Sequence, residues 1–148
     1  MSRERAFVDT NLFLRYLTND VPKQADAVEA LLQRACDGEL SLVTNSLVTN
    51  SLVIAELVWT LESFYQVAHA EIQAKVQAIL NMPGLEVSDG DLILRAIVWY
   101  AEKNVDFIDA YNAAWITEQA IPIAYTFDRK HFARLPGMTA RVPGQAVE

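Results

Sequence analysis

Apolar and polar positions alternate between two kinds of stretch along the chain. Ala6-Phe7-Val8 is a short apolar run without helical period and predicts a buried strand that ends at Asp9. A helix follows from about Asn11 to Thr18. Pro22 suits the first turn of the next helix, whose apolar face is Ala25, Val28, Leu31, Leu32 and Ala35 and whose stop is Gly38. Leu40 to Thr44 predicts the second strand. From Ser51 the helical spacing returns at Leu52, Ala55, Val58 or Trp59, and Ser63, and a further helix carries Ile72, Val76, Ile79 and Leu80 up to Pro83-Gly84. Leu85 to Val87 is a brief third strand.

Asp89 is a cap for a helix through Ile93, Ile97 and Tyr100, which ends near Lys103-Asn104. Asp106 is the next cap, opening a helix with Ala110, Ala113, Ala114 and Ile116 that runs to about Gln119. Pro122 to Phe127 reads as a strand ending near Asp128, and Met138 to Val142 as a last short strand. Strands separated by helices predict βαβ units, hence an α/β domain with a mostly parallel sheet covered by helices on both faces. No linker or low-complexity stretch divides the chain, so one domain over 1–148 is expected.

One local feature interrupts this pattern. Ser41-Leu-Val-Thr-Asn45 is followed at once by Ser46-Leu-Val-Thr-Asn50 and then by Ser51-Leu-Val53. The unit is too short for a solenoid, so it reads as a small duplication between strand and helix. Two registers follow: either copy can supply the strand, and either Ser46 or Ser51 can cap the helix.

Composition narrows the function. The 148 residues hold one cysteine, Cys36, and two distant histidines, which excludes an intrachain disulfide and a cysteine-built zinc site. A lone cysteine fits a reducing compartment, and the absence of a signal-like segment or of a window near the about 18 apolar residues of a membrane span points to a soluble cytoplasmic protein. With 12 Lys and Arg against 19 Asp and Glu, the net charge of −7 argues against holding nucleic acid by general electrostatics. Any such work must be local. No Walker loop, dinucleotide glycine fingerprint or Gly-x-Ser-x-Gly elbow is present.

The strongest chemical signal is a set of carboxylates where an α/β fold puts its active site, outside the carboxyl ends of the strands. Asp9 and Asp128 end strands, and Asp109 lies one turn into the helix opened by Asp106, where amide dipoles favour the ionised form. Glu56 is bracketed by Ile54, Ala55, Leu57 and Val58, and an acid inside such an apolar run calls for a cation. With no basic cluster nearby in sequence, a metal is inferred. Hard oxygen ligands select Mg²⁺ or Mn²⁺, and the chemistry such ions support is hydrolysis of a phosphodiester. Thr10 or Asn11 and Thr126 are placed to hold the carboxylates or contact phosphate.

The segments Phe7-Val-Asp-Thr-Asn-Leu12, Ser51-Leu-Val-Ile-Ala-Glu-Leu57, Asp106-Phe-Ile-Asp-Ala-Tyr-Asn-Ala-Ala114 and Thr126-Phe-Asp-Arg-Lys-His-Phe132 resemble the motifs of PIN-domain ribonucleases, in particular the VapC-type toxins of bacterial toxin–antitoxin systems. The resemblance covers nearly the whole chain and implies a three-layer α/β/α domain. By position it assigns the acidic quartet to Asp9, Glu56, Asp109 and Asp128, with Asn11, Asp106 and Thr126 in support. It further implies Mg²⁺- or Mn²⁺-dependent cleavage of RNA, a homodimer, and inhibition by a small antitoxin protein whose tail occupies the active-site groove. The tandem repeat departs from the family pattern, and a displaced Glu56 would impair the metal site.

Setting the quartet aside leaves 12 basic and 15 acidic residues, so much of the hostility to RNA lies in the proposed site itself, where bound metal reverses it. Arg15, Arg129, Lys130 and Arg134 are the candidate RNA contacts. His131 reads as a surface residue, and Asp106 as either cap or ligand. Trp59, Phe64, Trp99, Tyr100, Tyr111 and Trp115 have spacings suited to core or dimer packing. Two rival readings use the same residues: a metal-dependent phosphomonoesterase, and a non-catalytic binding module acting through an antitoxin complex.

Overall fold

The computed structural model describes residues 5–38, 46–127, 129–137 and 139–144, and for Arg129 the backbone alone. The chain divides into two compact units, Met1–Gly90 and Asp91–Glu148.

In the first unit, β1 (Arg5–Phe7) leads into α1 (Thr10–Thr18) and α2 (Pro22–Asp37). β2 (Ser46–Thr49), α3 (Ser51–Ser63), α4 (His69–Leu80) and β3 (Leu85–Val87) follow. The strands form one parallel sheet in the order β1-β2-β3, with Ala6 opposite Leu47 and Val48 opposite Glu86. The second unit contains α5 (Gly90–Lys103, starting at the boundary), α6 (Phe107–Glu118), β4 (Ile123–Tyr125), α7 (Arg129–Phe132) and β5 (Thr139–Arg141), and β4 pairs with β5 in parallel. Every described strand pairing is therefore parallel and seven helices intervene, consistent with a three-layer α/β/α fold.

The elements follow the expected pattern with informative departures. Pro22 is in the first turn of α2, and Gly38 ends it in the left-handed conformation at φ 63°. The strand expected at Leu40–Thr44 lies outside the described residues. The second copy of the repeat, Ser46–Thr49, is β2, and the cap of α3 is neither Ser46 nor Ser51 but Asn50. Its side-chain oxygen accepts from the backbone N–H groups of Leu52 (3.0 Å) and Val53 (3.1 Å).

A physical reason favours this register. Val53, Ile54, Leu57, Val58 and Leu61 are the buried face of α3. Sliding the chain by one five-residue unit would put Thr49 in place of Ile54 and Glu56 in place of Leu61, both fully buried positions. Identical strands thus compete, and the helix that follows decides between them.

The core of the first unit is built from Phe13, Leu47, Ile54, Leu57, Leu61, Ile72 and Val76, all essentially inaccessible to solvent. In the second unit Ile93, Ala96, Ile97, Tyr100, Ala110, Ala113 and Ala114 are buried, and the Tyr100 and Phe107 rings meet edge to face with centroids 6.4 Å apart. Trp59 and Phe64 are not core residues; they are 66% and 75% exposed. No helix among the described residues is long and apolar enough to cross a membrane.

Two contacts tie the first unit together. Gly84, at φ 82°, lets the start of β3 pass so close to the end of α2 that a Cβ would stand 2.1 Å from the Ala35 carbonyl oxygen. At the other end, Asp20 accepts hydrogen bonds from the Tyr65 hydroxyl (2.9 Å) and from Arg15 Nη1 (3.0 Å to Oδ2), with the Thr18 hydroxyl at 3.0 Å from Oδ1. The Tyr65 hydrogen bond is the main reason the Asp20 carboxyl is held below the usual range; Thr18 and Arg15 act in the same direction and desolvation opposes them.

Gly84→Ala is expected to cost about 2 kcal/mol or more, through both the left-handed backbone and the clash; an unchanged denaturation midpoint would contradict the close approach. Because the Asp20 pKa is depressed in the folded state, its contribution to stability is present above the unfolded value of about 3.9 and is lost as pH falls through the folded value. Tyr65→Phe is therefore expected to raise the Asp20 pKa and to shrink the acid-induced loss of stability, both measurable by carboxyl NMR titration and unfolding at pH 3 to 7.

Candidate metal centre

Asp9 stands directly after β1, where Val8 N–H still donates to the Val48 carbonyl at 2.9 Å. It occupies the N-cap of α1 in an extended conformation, yet its side chain makes no capping hydrogen bond, and it is exposed. The carboxylate is thus held at the carboxyl end of the sheet without being used to close the helix.

Among the described residues Thr10 and Thr49 are the buried polar ones, 2% and 0% exposed. The Thr49 hydroxyl donates to the Val8 carbonyl at 3.1 Å and so fixes the backbone just before Asp9. The Thr10 hydroxyl lies 3.2 Å from Glu56 Oε2 and 3.5 Å from the Val53 carbonyl oxygen. Its single proton is best used by the closer, charged acceptor. Glu56 is in this way tied to the residue next to Asp9, and the duplication does not carry it away from the end of β1.

Contrary to the expectation from its apolar neighbours, Glu56 is not buried and needs no cation on that account. Helical twist turns Ile54, Leu57 and Val58 inward and Glu56 outward, so the acid is exposed although apolar residues bracket it in sequence.

In the second unit, Asp106 is the N-cap residue of α6 and Asp109 lies in its first turn. The Asp106 side chain makes no capping hydrogen bond. Its Oδ2 instead lies 3.6 Å from His131 Nδ1, and Asp109 Oδ2 lies 3.2 Å from the same nitrogen. His131, on α7, is corrected from a free surface residue to a half-buried partner of both acids, its side chain 23% exposed. One ligand atom from each of Asp106, Asp109 and His131 falls within 4.8 Å of the others, a compact set of two carboxylates and an imidazole. Such hard and borderline donors fit a divalent cation.

The remaining candidates divide. Asp128 and the Arg129 side chain lie outside the described residues. Thr126 is half-buried and its N–H donates to the Arg141 carbonyl at 2.9 Å, while Asn11 is exposed. Arg15 is engaged with Asp20 and with Gln24 Oε1, at 2.9 Å from its Nε. Arg134 Nη1 donates to the Asn104 carbonyl, and Lys130 is exposed. The residue missed by sequence reasoning is His131; its one available signal was its position three residues after Asp128 in the sequence.

The described strand pairings are all parallel, and Asp106, Asp109 and His131 form a set that could hold a divalent cation. A sequence model of the PIN domain matches residues 6–138, and the chain belongs to the PIN-domain family. Members of this family are generally nucleases that use divalent metals and act on RNA or DNA. No curated protein matches the chain significantly.

Thr10→Val is expected to leave the fold intact, to lower stability by about 1 kcal/mol or less, and to free the Glu56 carboxylate. The side-chain carboxyl resonance of Glu56 reports the release; a resonance identical to that of the unaltered protein would mean that the hydroxyl does not hold it.

Proposed function

We propose that this protein, as one PIN domain, is a Mg²⁺- or Mn²⁺-dependent endoribonuclease that hydrolyses internal phosphodiester bonds. The observation that carries the reading is the meeting of Asp106, Asp109 and His131 at the start of α6 in a chain of this family. Asp9, Glu56, Asp109 and Asp128 are the proposed catalytic acids, with Asp9 and Asp109 as principal metal ligands and Glu56 and Asp128 completing the set directly or through water. When bound, a divalent ion supplies charge for the developing phosphorane and lowers the pKa of water.

The chain's own groups prepare for this. The Thr10 hydroxyl orients Glu56, and the Thr49 hydroxyl holds the backbone that presents Asp9. Asp109 lies in the first turn of α6. Asn11, Asp106 and Thr126 are supporting groups in this reading, and Lys130 and Arg129 are candidates to meet the phosphate backbone. Arg15 and Arg134 are less suited to that role, since each is engaged within the fold.

The toxin of a bacterial toxin–antitoxin pair is the biological role proposed, with RNA as substrate, an antitoxin protein and a second copy of the chain as partners, and the cytoplasm as its place. The motif resemblance to VapC-type toxins supports it. Exposed Leu52 and Trp59, on one face of α3, supply apolar surface that protein contacts would cover.

Purified protein incubated with end-labelled structured RNAs is expected to make internal cuts in Mg²⁺ or Mn²⁺. EDTA is expected to stop them, and Asp109→Asn to reduce them to the EDTA background while circular dichroism shows an unchanged fold. Cleavage that survives EDTA, or a fully active Asp109→Asn protein, would overturn the assignment. Release of inorganic phosphate from terminal phosphates alone would favour a phosphomonoesterase, and RNA or protein binding without turnover a non-catalytic module.

A further inference from the structure

His131 is the one nitrogen donor in a set of residues otherwise read as all-oxygen. Its Nδ1 faces two carboxylates at 3.2 and 3.6 Å, and all three groups are contributed within the second unit, from the start of α6 and from α7. Asp106 stands at a helix N-cap, where an aspartate usually closes the helix, yet its carboxylate does not do so and turns to the imidazole instead.

The spacing has a chemical meaning. Adjacent ligands of an octahedral ion bound at about 2.1 Å are about 3.0 Å apart, and opposite ligands about 4.2 Å apart. Nδ1 at 3.2 and 3.6 Å from the two carboxylates, in a set whose ligand atoms lie within 4.8 Å of one another, is close to such an arrangement before any cation draws it in. With its proton on Nε2, the imidazole offers Nδ1 as a lone-pair donor.

We propose that His131 is a metal ligand of this protein, through Nδ1, and that it makes the site prefer a first-row divalent ion such as Mn²⁺ over Mg²⁺. The inference rests on the metal-dependent nuclease reading and adds to it the residue that sets metal choice. Mg²⁺ takes oxygen ligands and keeps its waters, whereas first-row ions accept imidazole readily. An all-carboxylate site has no reason for a strong preference between the two. Replacing one oxygen by the Nδ1 of His131 introduces one.

Mn²⁺ itself is the probe. Titration of the whole protein followed by EPR is expected to show bound Mn²⁺ that Mg²⁺ displaces only in about tenfold or greater excess. Pulsed EPR of the bound ion is expected to show nitrogen modulation from a directly coordinated imidazole. His131→Asn, which keeps a polar side chain but no imidazole, should abolish the modulation and weaken Mn²⁺ by about tenfold while changing Mg²⁺ affinity less than about twofold. His131→Phe is expected to do the same and controls for coordination by the Asn amide.

Absence of Mn²⁺ binding, binding without nitrogen modulation, or equal loss of both metals in the variants would overturn the proposal; the last would make His131 a positioning residue for Asp109. Failure here is separable from failure of the nuclease reading. Metal-dependent RNA cleavage without nitrogen modulation would remove the ligand role alone. Nitrogen modulation in a protein that cuts no RNA would remove the nuclease and leave the metal site.

Discussion

The central strand Ser46–Thr49 is the element on which the first unit depends. Both neighbouring strands take their hydrogen bonds from it, and the two residues at its end serve the chemistry on either side. Thr49, fully buried, reaches back to the Val8 carbonyl and fixes the approach to Asp9, while Asn50 closes the first turn of the helix that bears Glu56. Shift this strand and both acids move. That is why the tandem copy of the same five residues is consequential, and why the buried face of α3, which will not accept Thr49 or Glu56, matters more than the strand's own sequence.

The two units share a device. In each, an aspartate occupies a helix N-cap without capping: Asp9 before α1 and Asp106 before α6. An N-cap carboxylate normally accepts from the open amide donors of the first turn, so one that does not is left available to a cation or a side chain. Around Asp106 that partner is His131, and around Glu56 it is Thr10.

The order of strands and helices was legible because each element carries its own period and its own stop signals: Pro22 and Gly38 bounding α2, Pro83-Gly84 before β3, the apolar run ending at Asp9. The candidate acids were named from four short motifs whose order constrains them, and the places of Asp9 after β1 and Asp109 in the first turn of α6 were legible in that way. Three things were not. The choice between copies of the repeat has no local signal, because both copies offer the same strand and the same Asn. The outward turn of Glu56 is hidden in a run of apolar neighbours, where residue type suggests burial and helical phase decides otherwise. His131 is separated from Asp109 by 22 positions, and only the return of the chain through β4 to α7 brings the imidazole to the carboxylate.

The sequence by itself determined the class of fold and the family and named the candidate acids, because periodicity, turn residues and motif order are local properties written along the chain. Tertiary structure alone decided which copy of the repeat became β2, that Glu56 is held by Thr10, and that a histidine joins Asp106 and Asp109. Those are contacts between residues far apart in sequence, and their outcome depends on which side chains the packed core excludes.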